Sequence, residues 1–211
     1  LFTNVQGSVA TDYLTINVTG GMKGATGIKV PDLKFTDWTT PTTIYSYQAA
    51  DEFALIADDA NDYVLYASES VAASGVRQFL LTGSGNDTIY GSAGGDFLHG
   101  QSGVNRLYGK GGNDTFQLRY TDVLSPDSIY DGGAGTDFLR IRGDVAFTGN
   151  LVSIEGIFLR SGQYTMNDGT TGYSSLYPAR FSIGADKFAN LPENFKVAGY
   201  GELYITKAVN F

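Results

Sequence analysis

Residues 82–117 read TGSGNDTIY-GSAGGDFLH-GQSGVNRLY-GKGGNDTFQ, a nine-residue pattern repeated four times without a gap. The fourth position of every copy is glycine, at Gly85, Gly94, Gly103 and Gly112. The sixth position is a carboxylate or its amide, at Asp87, Asp96, Asn105 and Asp114. The eighth position is large and apolar, at Ile89, Leu98, Leu107 and Phe116. A short fixed period of this composition predicts a parallel β-roll that binds calcium in its turns.

The period also predicts which turns lie next to each other. Each repeat supplies a six-residue turn and a three-residue strand, so two repeats complete a coil of 18 residues, and coils stack about 4.8 Å apart. Turns on one edge are then 18 residues apart, which pairs Asp96 with Asp114 and Asp87 with Asn105. The first pair has two carboxylates and should bind a cation more tightly. In the second pair, a neutral amide oxygen replaces one charge.

A fifth unit, GGAGTDFL at 132–139, follows after an insertion at 118–131. Ser128 stands near the end of this insertion where the pattern would place an aspartate. Asp137 of the fifth unit is out of the 18-residue register, so its partner stays open between three carboxylates. These candidates are Asp122, Asp127 and Asp131.

Calcium prefers six to eight oxygen ligands, which backbone carbonyls and carboxylates can supply together. Glycine allows the positive-φ conformations that turn several carbonyls toward one point. The candidate calcium ligands are therefore the turn glycines and the sixth-position side chains: Gly83, Gly85, Asp87, Gly94, Asp96, Gly103, Asn105, Gly112, Asp114, Gly133, Gly135 and Asp137. Isolated Gly-Asn-Asp segments are often plain hairpin turns. Four copies in strict register favour the metal.

The rest of the chain is also rich in strand signals. Alternating apolar and polar residues occur before the repeats, as in YLTINV at 13–18, and strand-like runs return after them. We therefore predict an all-β protein, a parallel β-roll or β-solenoid with flanking β-rich segments of solenoid or sandwich type. The expected segments are 1–81, 82–140 and 141–211, the last of which can continue the solenoid. The best helical candidate, at 186–190, is a single turn.

Composition excludes several classes of protein. The formal net charge is -8, which argues against nucleic-acid binding because that requires a basic surface. No run of 18 apolar residues is present, so we expect no membrane-spanning helix. Cysteine is absent, and in a secreted protein bound metal would then replace disulfides as the stabilising element.

The repeats resemble those of the RTX family of secreted bacterial proteins, whose nonapeptide is Gly-Gly-x-Gly-x-Asp followed by apolar-rich positions. The match covers 82–117 and 132–140. It departs at Asn105, where the pattern has aspartate, and at four positions where the pattern has glycine. These four positions hold Thr82, Ser92, Gln101 and Lys110. The resemblance implies a Ca²⁺-binding protein that is exported by a type I secretion system and folds outside the cell, secreted or at the cell surface.

Family resemblance does not fix the function, because RTX proteins include toxins, proteases, lipases, adhesins and surface-layer proteins. The chain has neither His-Glu-x-x-His nor Gly-x-Ser-x-Gly, and its one histidine, His99, occupies an outward position of a repeat. We therefore expect no enzyme. The leading expectation is an extracellular, calcium-stabilised structural module of a surface-layer, surface-filament or adhesin protein. The alternative is the C-terminal secretion and folding module of a larger RTX toxin or enzyme.

The expected partners, besides calcium, are a second copy of the chain or a cell-surface glycan or protein. Outward residues of the repeats should stack between coils, for example Tyr90 over Tyr108. Such an aromatic ladder could bind a carbohydrate or a protein, but more often it stabilises neighbouring strands. We favour the stabilising role.

Overall fold

The computed structural model describes residues 60, 62–67, 69, 77–160 and 178–206, and the backbone of the strands at 13–17, 28–29, 42–47, 53–57, 163–165 and 171–173. Parallel strands dominate this part of the chain, and the helix at Ala185–Phe188 accompanies them. The predicted all-β class and parallel solenoid are confirmed.

Two parallel sheets form the body of the solenoid. In spatial order, sheet 1 consists of β1 (Tyr13–Asn17), β3 (Thr42–Tyr47), β5 (Tyr63–Tyr66), β7 (Thr88–Tyr90), β9 (Arg106–Tyr108), β12 (Ile129–Asp131) and β16 (Asn150–Val152). Sheet 2 consists of β2 (Ile28–Lys29), β4 (Phe53–Ala57), β6 (Gln78–Thr82), β8 (Phe97–His99), β11 (Thr115–Arg119), β14 (Phe138–Arg142), β17 (Gly156–Arg160) and β21 (Lys196–Gly199). The chain alternates between the two sheets, which is the topology of a coil.

The remaining strands form smaller sheets. Sheet 3 contains β15 (Asp144–Phe147), β20 (Ala179–Gly184) and β22 (Gly201–Thr206), all parallel. The turns contribute a parallel pair, β10 (Gly111–Gly112) and β13 (Ala134–Gly135). An antiparallel pair joins β18 (Gln163–Thr165) to β19 (Thr171–Tyr173). Helix α1 (Ala185–Phe188) is the single turn expected from the sequence.

The eighth residue of every repeat points into the core, as predicted. Ile89, Leu98, Leu107 and Phe116 are all fully buried. Their register follows the period, because Ile89 pairs with Leu107 in sheet 1 and Leu98 with Phe116 in sheet 2. Each such side chain stabilises the fold by about 1.5–3 kcal/mol relative to an exposed position.

The solenoid widens after β14. Gly143, with a φ of 77°, turns the chain into β15, so the coils acquire a third side. Larger rings fill the broader interior: Phe147 packs against Tyr130 at 5.6 Å and against Phe181 at 5.8 Å between ring centroids. The core therefore runs without a break from the nine-residue repeats into the C-terminal coils.

The insertion at 118–131 contains more regular structure than the sequence suggested. Its first residues extend β11, and its last three form β12, which pairs in register with β9 and β16. Between them the loop covers His99, whose ring is fully buried and lies 3.0 Å, Nε2 to Oδ2, from Asp122. His99 projects from the face of β8 opposite the core residue Leu98, which agrees with the outward position expected, and the loop then buries its ring.

The aromatic ladder on the outer face of sheet 1 is present. Tyr90 stacks on Tyr108 with ring centroids 5.1 Å apart, and Tyr66 stacks on Tyr90 at 4.7 Å. The rings are almost parallel, with interplanar angles of 11° and 13°. Stacking between successive coils is what a strand-stabilising role requires.

Candidate metal centre

A ladder of carboxylates runs along the turns that precede the strands of sheet 2. The backbone N–H of Asp96 donates to Asp114 Oδ1 at 2.6 Å, and that of Asp114 donates to Asp137 Oδ1 at 2.7 Å. The N–H of Asp137 donates in turn to Glu155 Oε2 at 2.6 Å. We call these four residues the sheet-2 ladder. The adjacency of Asp96 and Asp114 predicted from the 18-residue spacing is confirmed.

The second oxygens of two carboxylates in the sheet-2 ladder are unsatisfied. Asp114 Oδ2 and Asp137 Oδ2 are buried and have no hydrogen-bond partner among the described residues. Asp96 differs, since its Oδ2 accepts the N–H of Ser92 at 2.6 Å and the Ser92 hydroxyl at 2.9 Å. A buried, unpartnered carboxylate oxygen is energetically costly, which marks the turns at Asp114 and Asp137 as places for a cation.

Each unsatisfied oxygen faces a carbonyl of the next coil across a glycine. A β-carbon added to Gly109 would overlap Asp114 Oδ2 and would lie 2.6 Å from the carbonyl oxygen of Gly132. A β-carbon added to Gly132 would overlap both Asp137 Oδ2 and the carbonyl oxygen of Ser153. The absence of side chains at these two glycines therefore brings a carboxylate and a carbonyl oxygen together.

The three aspartates of the sheet-2 ladder have raised pKa values when no cation is present. Burial, together with the nearby charges of Asp137 and Asp96, raises the pKa of Asp114 to about 8. Burial also raises the pKa of Asp137 to about 6, and that of Asp96 above its ordinary value. A bound cation would favour the ionised form of all three groups, as nearby opposite charge does.

A second ladder of hydrogen bonds lies in the turns that precede the strands of sheet 1, and two of its three side chains are neutral. The N–H of Asp87 donates to Asn105 Oδ1 at 2.9 Å, and that of Asn105 donates to Ser128 Oγ at 3.0 Å. We call Asp87, Asn105 and Ser128 the sheet-1 ladder. Ser128 thus occupies the aspartate position to which the sequence assigned it. The predicted adjacency of Asp87 and Asn105 is also confirmed.

The amide of Asn105 does not present an oxygen to a cation. Its Oδ1 is used by Asp87, and its Nδ2 donates to three carbonyl oxygens of its own turn. The three distances are 2.7 Å to Gly100, 3.0 Å to Ser102 and 3.4 Å to Gln101. An amide-oxygen ligand at Asn105 stays a prediction, and in this arrangement the amide nitrogen, not the oxygen, faces the carbonyls of the turn. The amide nitrogen of Asn105 already occupies the position toward which these three carbonyl oxygens point.

The predicted glycine ligands stack from coil to coil. Gly112 lies against Gly94, Gly135 lies against Gly112, and Gly103 lies against Gly85. Each approach is so close that a side chain on the first glycine of the pair would overlap the backbone of the second. Gly103, Gly112, Gly133 and Gly135 have φ values of 104°, 96°, 86° and 140°. Gln101 and Lys110, where glycine is expected, also adopt positive φ, at 49° and 72°. Gly83 is buried in the first turn.

The structure corrects the partner of Asp137 and adds a ladder residue. Asp137 lies between Asp114 and Glu155, so the three candidates within the insertion are wrong. The step from Asp114 to Asp137 is 23 residues, whereas the step to Glu155 returns to 18. Glu155 lacks the glycine pattern of a repeat, but its spacing from Asp137 was available in the sequence as a signal.

The chemistry of the two open turns fits calcium. They offer carboxylate and carbonyl oxygens, which hard cations prefer, and no sulfur or imidazole. Among the described residues, no three His, Asp, Glu or Cys side chains converge on one point. A cation here would thus be held by single carboxylates and backbone carbonyls. The ligating role of the individual residues stays a prediction.

The fold and these turns define a parallel β-solenoid with carboxylate–carbonyl sites for a hard cation. Residues 81–116 match the family model of the RTX calcium-binding nonapeptide repeat, in four copies. The match includes the open turn at Asp114 but not the one at Asp137, and it supports a place for the chain in the RTX family. Searches of curated proteins and of solved structures gave no match. Within the described residues, no helix is long and apolar enough to cross a membrane.

Proposed function

We propose that this chain is an extracellular, calcium-stabilised structural module of a surface-layer, surface-filament or adhesin protein. The observation that carries the proposal is the pair of unsatisfied oxygens on Asp114 and Asp137, each facing a carbonyl of the next coil. Calcium at these points would cross-link successive coils through one oxygen from each. Bound metal would then take the stabilising role that disulfides have in many secreted domains.

An extracellular location follows from the same physics. A metal-free roll has buried carboxylates, net charge -8 and 28 glycines, which together oppose folding by self-repulsion and conformational entropy. Calcium sites of modest affinity are filled outside cells, where the ion is abundant. We therefore propose that the chain folds after export by a type I secretion system. Detection on intact cells of the source organism with a specific antibody, without lysis, tests the location.

We propose a structural rather than a catalytic role. His99 is fully buried and held by Asp122, so it offers no accessible base. The buried carboxylates of the sheet-2 ladder are committed to the backbone N–H groups of neighbouring coils. Calcium-dependent folding without turnover on ester, peptide or glycoside substrates is the expected result. Turnover of any of these substrates that is abolished when a single surface carboxylate is substituted would contradict the structural role.

The C-terminal coils offer a surface for self-association. Val197, Tyr200, Tyr204 and Ile205 are each about half exposed on β21, β22 and the turn between them. Among the described strands, β22 forms an edge of sheet 3, so its outer backbone groups are available for pairing. We propose a second copy of this chain as the partner, which suits an assembled layer or filament.

Sedimentation and electron microscopy of the protein with and without calcium test the assembly. Calcium should fold the chain and then produce ordered oligomers, which Ile205→Lys should abolish while leaving the circular dichroism spectrum unchanged. Val123→Lys is the matched control, because Val123 is 73% exposed in the loop over His99. A folded, strictly monomeric protein with calcium would favour the alternative, a folding and secretion module of a larger toxin or enzyme.

A further inference from the structure

A groove lies on the outer face of sheet 2, on the side of the strands away from the core. Its volume is about 230 Å³. Three arginines and three phenylalanines line it together with Thr115: Arg77, Arg140, Arg160, Phe97, Phe138 and Phe158. This combination is unusual for the chain, which has 22 acidic and only 14 basic residues.

The register of the strands explains the shape of the groove. Phe97, Thr115 and Phe138 form one row across β8, β11 and β14, so the small threonine lies between two rings. The next strand places Gly156 beside Phe138, and the Phe138 ring lies over this glycine. Large rings on both sides of the small Thr115 side chain make a depression in an otherwise continuous sheet.

Two of the three groove arginines lie over aromatic rings. The guanidinium of Arg140 lies 5.8 Å from the Phe97 ring centroid, and that of Arg160 lies 5.3 Å from the Phe158 centroid. Among the described residues, neither Arg77 nor Arg160 forms an ion pair. A guanidinium stacked on a ring keeps its N–H edge available to a planar anion.

No acidic side chain lines the groove. The nearest carboxylates in sequence, Asp96, Asp114 and Asp137, precede the groove strands, but they are buried in the turns. In the calcium-loaded protein those charges would be compensated by the metal. The groove is thus a local positive site on a protein of net charge -8, and its sign selects an anionic ligand.

We propose that this groove binds a carboxylated sugar residue of an acidic polysaccharide. A carboxylate matches the bidentate geometry of a guanidinium, and the flat C–H face of a pyranose packs on an aromatic ring. The cavity is smaller than the sites that hold drug-sized ligands, which suits one sugar ring with its neighbours lying along the sheet. The inference goes beyond the calcium-dependent structural role, since it assigns a ligand to a separate surface.

Isothermal titration of the full, calcium-loaded chain with trigalacturonate tests the proposal, with galactotriose as the neutral probe and hexaglutamate as the acidic peptide probe. Calcium is held constant in all titrations, and circular dichroism verifies that each protein is folded. We expect trigalacturonate to bind at least about tenfold more tightly than either of the other probes. A folded protein that binds none of them, or binds hexaglutamate equally well, overturns the proposal without affecting the calcium assignment.

Two variants locate the site. Arg160→Gln and Phe158→Ala should each weaken trigalacturonate binding by about tenfold, because one removes a bidentate donor and the other a stacking surface. Arg180→Gln is the matched control: this exposed arginine lies on sheet 3, where it pairs with Glu202 at 3.2 Å and Asp144 at 3.7 Å. Equal binding by the wild type and both groove variants overturns the assignment to this surface.

Discussion

The side-chain nitrogen of Asn105 lies 2.7 Å from the carbonyl oxygen of Gly100, within the turn that the asparagine itself closes. In the sheet-2 ladder the corresponding atom is the carboxylate oxygen Asp114 Oδ2, which is buried without a hydrogen-bond partner. The same turn architecture is thus used in two ways. An amino group satisfies the carbonyls at Asn105, whereas at Asp114 an oxygen and a carbonyl face each other and favour a cation.

Asn105→Asp should convert the closed turn into a calcium-dependent one. The substitution replaces three N–H···O interactions by repulsion between a carboxylate and three carbonyls, so the metal-free roll should be less stable than the wild type. With calcium, stability should recover and the bound stoichiometry should rise by one ion. Equilibrium dialysis and thermal unfolding measure the two effects. Asn86→Asp is the control, since Asn86 lies beside the ladder with an exposed side chain.

Asp114→Asn should weaken calcium binding by roughly tenfold or more, because it removes one ligand charge from the sheet-2 ladder. Asp96→Ala should also weaken calcium-induced folding, whereas Asn105→Ala should lower stability with little change in calcium affinity. Calcium titrations followed by circular dichroism separate these cases. Asp127→Asn, at an exposed position, should behave like the wild type. Identical titration curves for all four variants would contradict the ladder assignment.

Metal-free protein should be more stable in acid than at neutral pH. The folded-state pKa values of Asp114, about 8, and Asp137, about 6, lie above the unfolded value of 3.8, so protons bind the folded roll more tightly. The stabilisation is complete below about pH 4 and is lost as the pH rises through 6 and then 8. Thermal unfolding of the dialysed, metal-free protein at a series of pH values between about 4 and 8 measures this pH dependence of stability. Saturating calcium should reduce this loss of stability. In Asp114→Asn, the part of the loss that occurs near pH 8 should be absent.

Gly112→Ala should destabilise the roll by at least about 2 kcal/mol, because φ is 96° there and the added carbon would lie 2.6 Å from the Gly95 nitrogen. Gly111→Ala is the matched control. A β-carbon at Gly111 meets its nearest neighbour at 3.7 Å, in ordinary van der Waals contact, so this variant should change stability little. Denaturant unfolding with saturating calcium compares the two proteins. Equal stability of the two variants would show that the stacking of the turn glycines does not constrain them.

Local spacing made much of the site predictable. The nine-residue period placed Leu98 and Phe116 in the core and Asp96 beside Asp114, because two repeats close one coil and strand spacing is fixed. The partner of Asp137 was not predictable in this way. Five additional residues in the preceding coil change the step to 23, and only the pairing of β12 between β9 and β16 shows where the extra length is accommodated.

The sequence by itself therefore determined the parallel roll, its core and the type of metal that its turns suit, since all three follow from a short period that local geometry enforces. The tertiary structure decided which ladder oxygens stay unsatisfied, how Asn105 closes its own turn and why His99 is buried. It also decided the Arg–Phe groove, whose residues come from β8, β11, β14, β17 and the segment before β6. Such features depend on contacts between coils and on the course of one loop, which residue spacing within a repeat does not encode.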